Sequence, residues 1–151
     1  MSVSARLREL GIELPEVAKP LASYVPAVRS GNLVYTAGQL PMQAGKLAET
    51  GKVGIEVTPE HGKELARICA LNALAAVDGL VGLDAVVQVV KVVGFVASAP
   101  GFTAQPAVLN GASELLGEVF GAAGAHARSA VGVAELPLGA PVEVELVVEL
   151  G

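Results

Sequence analysis

The sequence predicts an α+β fold, with helices layered on a mostly antiparallel sheet in the order ββ(β)αβαββ. Two segments, 59–77 and 106–120, carry apolar residues at helical spacing and end at glycines. Five others, at 25–29, 33–39, 86–96, 128–134 and 142–150, alternate or are dense in β-branched residues. The length of 151 residues and mass of 15.2 kDa suit one compact domain spanning 1–151.

Taken in order, Ser4 to Leu10 form a short helix ended by Gly11, and Pro15, Pro20 and Pro26 keep the next stretch extended. Val25–Arg29 and Leu33–Gln39 are strands joined by the turn composition Ser30-Gly31-Asn32. Residues 43–54 are polar and glycine-bearing, a loop with at most a short strand. Thr58-Pro59-Glu60 opens a helix with a hydroxyl cap, proline at the first position and an acid in the first turn. Leu65, Ile68, Leu71, Leu74, Ala75 and Val77 supply its apolar stripe until Gly79 and Gly82 break it. Val86 to Val96 is β-branched on both faces, as a central strand covered on both sides would be. A second long helix runs from about Pro106 to Phe120 and stops at Gly121. Arg128–Ala134 and Val142–Leu150 then flank the turn-rich Leu136–Pro141 and read as a hairpin.

Composition narrows the function. Ten basic and fifteen acidic residues give a net charge of −5 and a pI near 5.0, against a nucleic acid as main partner. Three Phe, two Tyr and no Trp offer few platforms for stacking bases. Charged residues are only 17% of the chain and mean hydropathy is +0.58, so some surface is expected to be buried against other copies. The single Cys69 excludes an intrachain disulfide and reads as a packed thiol. The charged start lacks the apolar stretch of a secretory signal, and Val86–Ala97 is too short to span a bilayer, so a soluble cytoplasmic protein with no membrane partner is expected.

The predicted hairpin places the chemistry. Val142, Val144, Leu146, Val148 and Leu150 share one face of the last strand; Glu143, Glu145 and Glu149 share the other. With Val131 and Val133 on the apolar side, Arg128 and Ala130 fall beside the glutamates. A guanidinium matches a carboxylate in two hydrogen bonds, so a small organic acid is one ligand for Arg128. Pairing with Glu149 across the hairpin is the other reading. A turn near Leu138 sets Arg128 opposite residues 147–149 and roughly 15–20 Å from Glu143, so those two groups meet only if another subunit supplies one. His61 and His126 have no second ligand near in sequence, and His126 either edges the Arg128 pocket or faces solvent. Lys91 reads as a strand-end or snorkelling lysine, and no phosphate-binding glycine loop is present.

Several spaced blocks resemble the Rid/YjgF family of reactive-intermediate (enamine/imine) deaminases. They are Tyr24-x-x-Ala-Val-x-Ser-Gly-Asn-Leu-Val-Tyr-Thr-x-Gly-Gln-Leu-Pro41, Val89-Val-Lys91 with Phe95, Ala127-Arg-Ser-x-Val-x-Val-Ala-x-Leu-Pro137 and Val142-Glu-Val-Glu145. The likeness spans Tyr24 to Leu150, with 1–20 as an N-terminal extension. It implies a chorismate-mutase-like fold assembled as a homotrimer with clefts between subunits, and hydrolysis of 2-imino acids to 2-keto acids and ammonia without metal or organic cofactor. It further implies Arg128 as the carboxylate anchor and Glu143 as the group that positions water. Tyr24, Gly38 and Asn110 match the family's pocket residues. Ala37 stands where many members carry Ser, and Ala130 where Cys is common, which removes two side-chain heteroatoms. Those alanines keep a second function open: a non-catalytic trimer that binds a small carboxylate or a partner protein. A ribonuclease, a name often attached to the family, fits the charge and aromatic content poorly.

Overall fold

The computed structural model describes residues 1–20 and 22–151. Helix α1 (Val3–Leu10) starts where the Ser2 hydroxyl accepts from the Ala5 N–H and ends at Gly11 in the left-handed conformation, φ 70°. Strands β1 (Ala27–Ser30) and β2 (Leu33–Thr36) form the expected hairpin, with Ser30 opposite Leu33 and Gly31 at φ 60°. The polar stretch beyond holds only a two-residue ribbon, β3 (Met42–Gln43) and β4 (Lys46–Leu47).

Helix α2 (Pro59–Val81) begins as its sequence indicates, with Thr58 Oγ1 accepting from the His61 N–H at 3.1 Å. It runs through Gly79 and stops only at Gly82, because a helix tolerates one glycine at modest cost. Its buried residues, mostly small, include Leu65, Ala66, Cys69, Ala70, Ala73, Leu74, Ala76 and Val77, while Ile68 and Leu71 are half-buried. Small residues let neighbours come close. Helix α3 (Gln105–Phe120) lies beside α2, with Gly111 against the Lys63 carbonyl, and the ion pairs Lys63–Glu114 (3.0 Å) and Arg67–Glu118 (3.3 Å) lock the two in parallel register.

Strand β5 (Val86–Ala97), β6 (Ala127–Val133) and β7 (Val142–Leu150) complete a five-stranded sheet ordered β1-β2-β7-β5-β6. The architecture is α+β with a mixed sheet, since β5 and β6 run parallel and every other pair is antiparallel. The hairpin of residues 128–150 is therefore not formed. β5 lies between β6 and β7, and the 134–141 connection steps past it. The reason is the preceding unit: strand β5, a helix-length crossover and strand β6 make a parallel pair, and that claims the edge of β5 which a hairpin would have left vacant.

The helices cover one sheet face, where Val34, Val89, Val92, Val96, Val142, Val144, Leu146 and Val148 join them in one core. β5 is thus covered on one side, not both. Its other face, with Lys91, Val93 and Phe95, is half-buried and shares an open surface with Val28 (52% exposed), Tyr35 (46%) and Val131 (44%). A break in the β5–β7 register around Val90 lets Val89 and Val92, three residues apart, both face the core.

Candidate functional site

The parallel pairing decides where Arg128 points. Arg128 lies beside Val92, which lies opposite Leu146, and both are core residues on the helix face. Arg128 and Ala130 therefore face α3, whereas Glu143 and Glu145 lie opposite Phe95 and Val93 on the open face. The sequence reading that put Arg128 beside the glutamates is reversed, and Val131 is on the open side. Close approach of α3 explains it. A side chain at Gly132 would strike Gln105 and one at Gly94 would strike Leu109, so the small residues of these strands turn toward the helix. The pairing with Glu149 does not form either, since Glu149 lies opposite Leu33 and Gln88, two strands away.

On the helix side the half-buried Arg128 guanidinium is held by neutral acceptors. Its Nη1 donates to Asn110 Oδ1 at 2.9 Å and Ser113 Oγ at 3.1 Å, and its Nη2 donates to the Pro106 carbonyl at 3.4 Å. Asn110 and Ser113 stand three apart on α3 and so share a helix face. Among the described residues no carboxylate lies within 4.0 Å of Arg128. Two of its five N–H donors, one on Nε and one on Nη2, have no partner among the described residues. His126 joins the cluster through Ser113, whose Oγ is 2.9 Å from its Nε2. Ser113 and the Pro106 carbonyl were not singled out from sequence; the i, i+3 spacing of Asn110 and Ser113 was the available signal.

A second cluster lies across the sheet. Past β2 the chain bridges to β7, Gln39 and Val144 exchanging backbone hydrogen bonds of 2.8 and 3.0 Å, which sets Gly38 against Glu143. A Cβ at Gly38 would fall on Glu143 Oε2 and lie 2.8 Å from Cδ, so glycine is what admits the carboxylate. Burial first, and the neighbouring Glu145 charge second, raise the Glu143 pKa above the ordinary carboxylate range. Tyr24 and Gly38 line one cavity together with Ala18 to Pro20, Pro26, Leu40 and Met42. Ala37 precedes Gly38 and donates its N–H to the Pro26 carbonyl at 2.8 Å.

The structure thus puts Asn110, Arg128 and Ala130 on the helix side of the sheet and sets Gly38 against Glu143 away from them. Tyr24 shares the Gly38 cavity, and Ala37 is next to Gly38 in the chain. From Arg128 to Glu143 the path crosses two strand spacings and three residues, roughly 14 Å between Cα atoms, with side chains on opposite faces. Elsewhere, Cys69 is fully buried, its Sγ 3.6 Å from the Val142 carbonyl, and burial pushes the thiol pKa up. His61 lies 3.2 Å from Glu64 and 3.8 Å from Glu49. Among the described residues no three His, Cys, Asp or Glu cluster to hold a metal, and no helix is long and apolar enough to cross a membrane.

Similarity to known proteins covers nearly the whole chain. The family described as endoribonuclease L-PSP matches residues 15–150. Protein TCP17 of Trypanosoma cruzi is 47% identical over 150 residues, 98% of this chain and 94% of that one. The crystal structure of Atu1372 from Agrobacterium tumefaciens, a protein of unknown function, is 46% identical with a TM-score of 0.89, covering 99% and 92%. The YjgF gene product of E. coli is 26% identical with a TM-score of 0.65, covering 89% and 98%.

Proposed function

From the premise that this chain belongs to the endoribonuclease L-PSP family, the Rid/YjgF family its sequence resembles, we propose that it hydrolyses small 2-imino acids to 2-keto acids and ammonia. The reaction takes place in clefts between copies of a homotrimer. One observation carries this: a half-buried guanidinium that, among the described residues, has no carboxylate partner, is held by three neutral acceptors and keeps two free donors. That is an anchor for an organic acid. The opposite-face placement of Glu143 supports a shared cleft, since one copy cannot bring both groups to a small molecule. The partly exposed apolar side chains on the open sheet face support burial against other copies.

In the cleft, Arg128 of one copy clasps the substrate carboxylate and turns the imine carbon toward Glu143 of a neighbouring copy. Glu143 accepts a proton from water as the water oxygen adds to the iminium carbon. The protonated carboxyl then passes that proton to nitrogen, the C–N bond breaks, and the carbonyl forms as ammonia departs; a final proton leaves the hydroxyl for ammonia. A carboxylate with a raised pKa holds a proton more readily near neutrality than an ordinary one, which suits this shuttle. The iminium is already electrophilic, so positioning supplies most of the help.

The test is ammonia release from a freshly generated imino acid, with the assembly checked by sedimentation. The native protein accelerates release and Arg128→Ala abolishes the acceleration; equal rates for the two overturn the mechanism. The absence of heteroatoms at Ala37 and Ala130 favours a second reading, a trimer that binds a small carboxylate without turning it over. Keto-acid binding without turnover of several imines selects it.

A further inference from the structure

We propose that Ser113 and His126 form a relay that positions the Arg128 guanidinium, and so sets the carboxylate affinity of the cleft. The inference rests on Arg128 being the anchor and deepens that reading: Ser113 is one of the acceptors that hold the guanidinium, and His126 lies behind it. It follows from the direction in which each hydrogen must point.

The last link is the firmest. His126 Nδ1 lies 2.6 Å from the Gly124 carbonyl, and a carbonyl can only accept, so Nδ1 carries the hydrogen. In the neutral ring Nε2 is then an acceptor, and Ser113 Oγ, 2.9 Å away, is its donor. With its hydrogen committed to His126, the hydroxyl turns a lone pair toward Arg128 Nη1 at 3.1 Å. The chain runs one way, from guanidinium to serine to histidine to the Gly124 carbonyl. Gly124 is itself fixed, because it packs so closely on the Leu116 carbonyl of α3 that a Cβ would collide with it.

The consequence concerns rotation. Without Ser113, Nη1 would keep one acceptor, Asn110, and the guanidinium would otherwise be held only by the long 3.4 Å contact of Nη2 with the Pro106 carbonyl. Ser113 adds a second acceptor on Nη1, at 3.1 Å, and narrows the rotation that the Pro106 contact leaves. An unpartnered serine hydroxyl rotates and can point its hydrogen at the cation. His126 removes that freedom. Ser113 and His126 are thus positioning residues: they stand behind the guanidinium and leave the Nε donor and one Nη2 donor for the ligand.

The experiment measures pyruvate dissociation constants by calorimetry on the full-length protein in its native assembly. Ser113→Ala and His126→Phe each weaken binding about tenfold, the scale of one hydrogen bond to a charged group. The double variant binds no worse than either single one, because both break one chain. His126→Gln, whose amide oxygen can take the serine hydrogen, recovers most of the affinity that His126→Phe loses, which general damage to the fold would not produce. Ser113→Ala removes one oxygen and gives a second measurement should the bulkier change at 126 fail to fold. If Arg128→Ala abolishes binding while Ser113→Ala and His126→Phe bind like the native protein, or if their losses add, the relay is wrong and the anchor stands. If Arg128→Ala binds pyruvate as the native protein does, the anchor falls and the relay with it.

Discussion

Replacing Gly38 by alanine should separate stability from activity. The added methyl falls on Glu143 Oε2, 2.8 Å from Cδ and 3.2 Å from Cγ, where ordinary carbon contacts need about 3.5 Å or more. The carboxyl end must retreat by roughly 1 Å, and a displacement of that size at a reacting group costs about 100-fold in rate. Stability should change little. The atoms in the way are the far end of a flexible side chain, not backbone, and Gly38 is not at a positive φ that would strain alanine. Alanine also lowers the entropy of the unfolded chain by about 0.4–1 kcal/mol, which offsets the rotamer Glu143 must adopt. We expect the midpoint of thermal unfolding to move by no more than about 4 °C, while ammonia release from 2-iminopropanoate falls about 100-fold. Native-like turnover in a folded Gly38→Ala protein would show that the Glu143 carboxylate does not act from beside Gly38. A collapse of Tm would show that this glycine is required by the backbone.

Gly111→Ala provides the contrast, since its methyl would strike the Lys63 carbonyl of α2, which is backbone and cannot turn aside. Overpacking of about 1–3 kcal/mol, less the roughly 1 kcal/mol that alanine gains in a helix, should leave Tm unchanged or lower by several degrees; a clear rise would refute the close helix contact. Glu143→Gln should stabilise the fold at neutral pH and abolish turnover. Burial and Glu145 raise the Glu143 pKa, so folding favours its protonated form; that contribution is complete below the ordinary carboxylate range and lost as pH rises through the folded value. The Tm advantage of the glutamine variant should therefore grow from pH 3.5 to pH 8, and a pH-independent difference would contradict the burial of this carboxylate. Thr36→Val removes the buried hydroxyl that accepts from the Leu146 N–H at 2.9 Å, and should cost about 1–3 kcal/mol in urea unfolding; a neutral result would mean that the N–H finds another partner.

Helices and their ends were legible because their signals are local. Thr58 caps α2 from one residue away, and Gly11 and Gly121 stop α1 and α3 where the apolar spacing stops. The β1–β2 turn was legible for the same reason. The alternation of β7 showed correctly that Glu143, Glu145 and Glu149 share a face opposite Val142, Val144 and Val148. The blocks of residues that resemble the family were legible too, and they reach from Tyr24 to Leu150.

Which strand lies beside which was not legible, and the site hung on that. A strand's period shows which of its side chains lie together, but not its neighbour or which face the helices cover. The 134–141 turn suggested a hairpin, and only the insertion of β5 between β6 and β7 showed otherwise. Hydrophobicity placed Val131 inside and Arg128 outside with the glutamates; packing reversed both. α3 comes so close to β5 and β6 that a side chain at Gly94 would strike Leu109 and one at Gly132 would strike Gln105, and the long Arg128 reaches the helix edge at Asn110 and Ser113. The sequence by itself determined the elements and the chemistry they carry, because those follow from contacts a few residues apart. Tertiary structure alone decided that the guanidinium and the Glu143 carboxylate stand on opposite faces, because that follows from pairing between residues far apart in the chain.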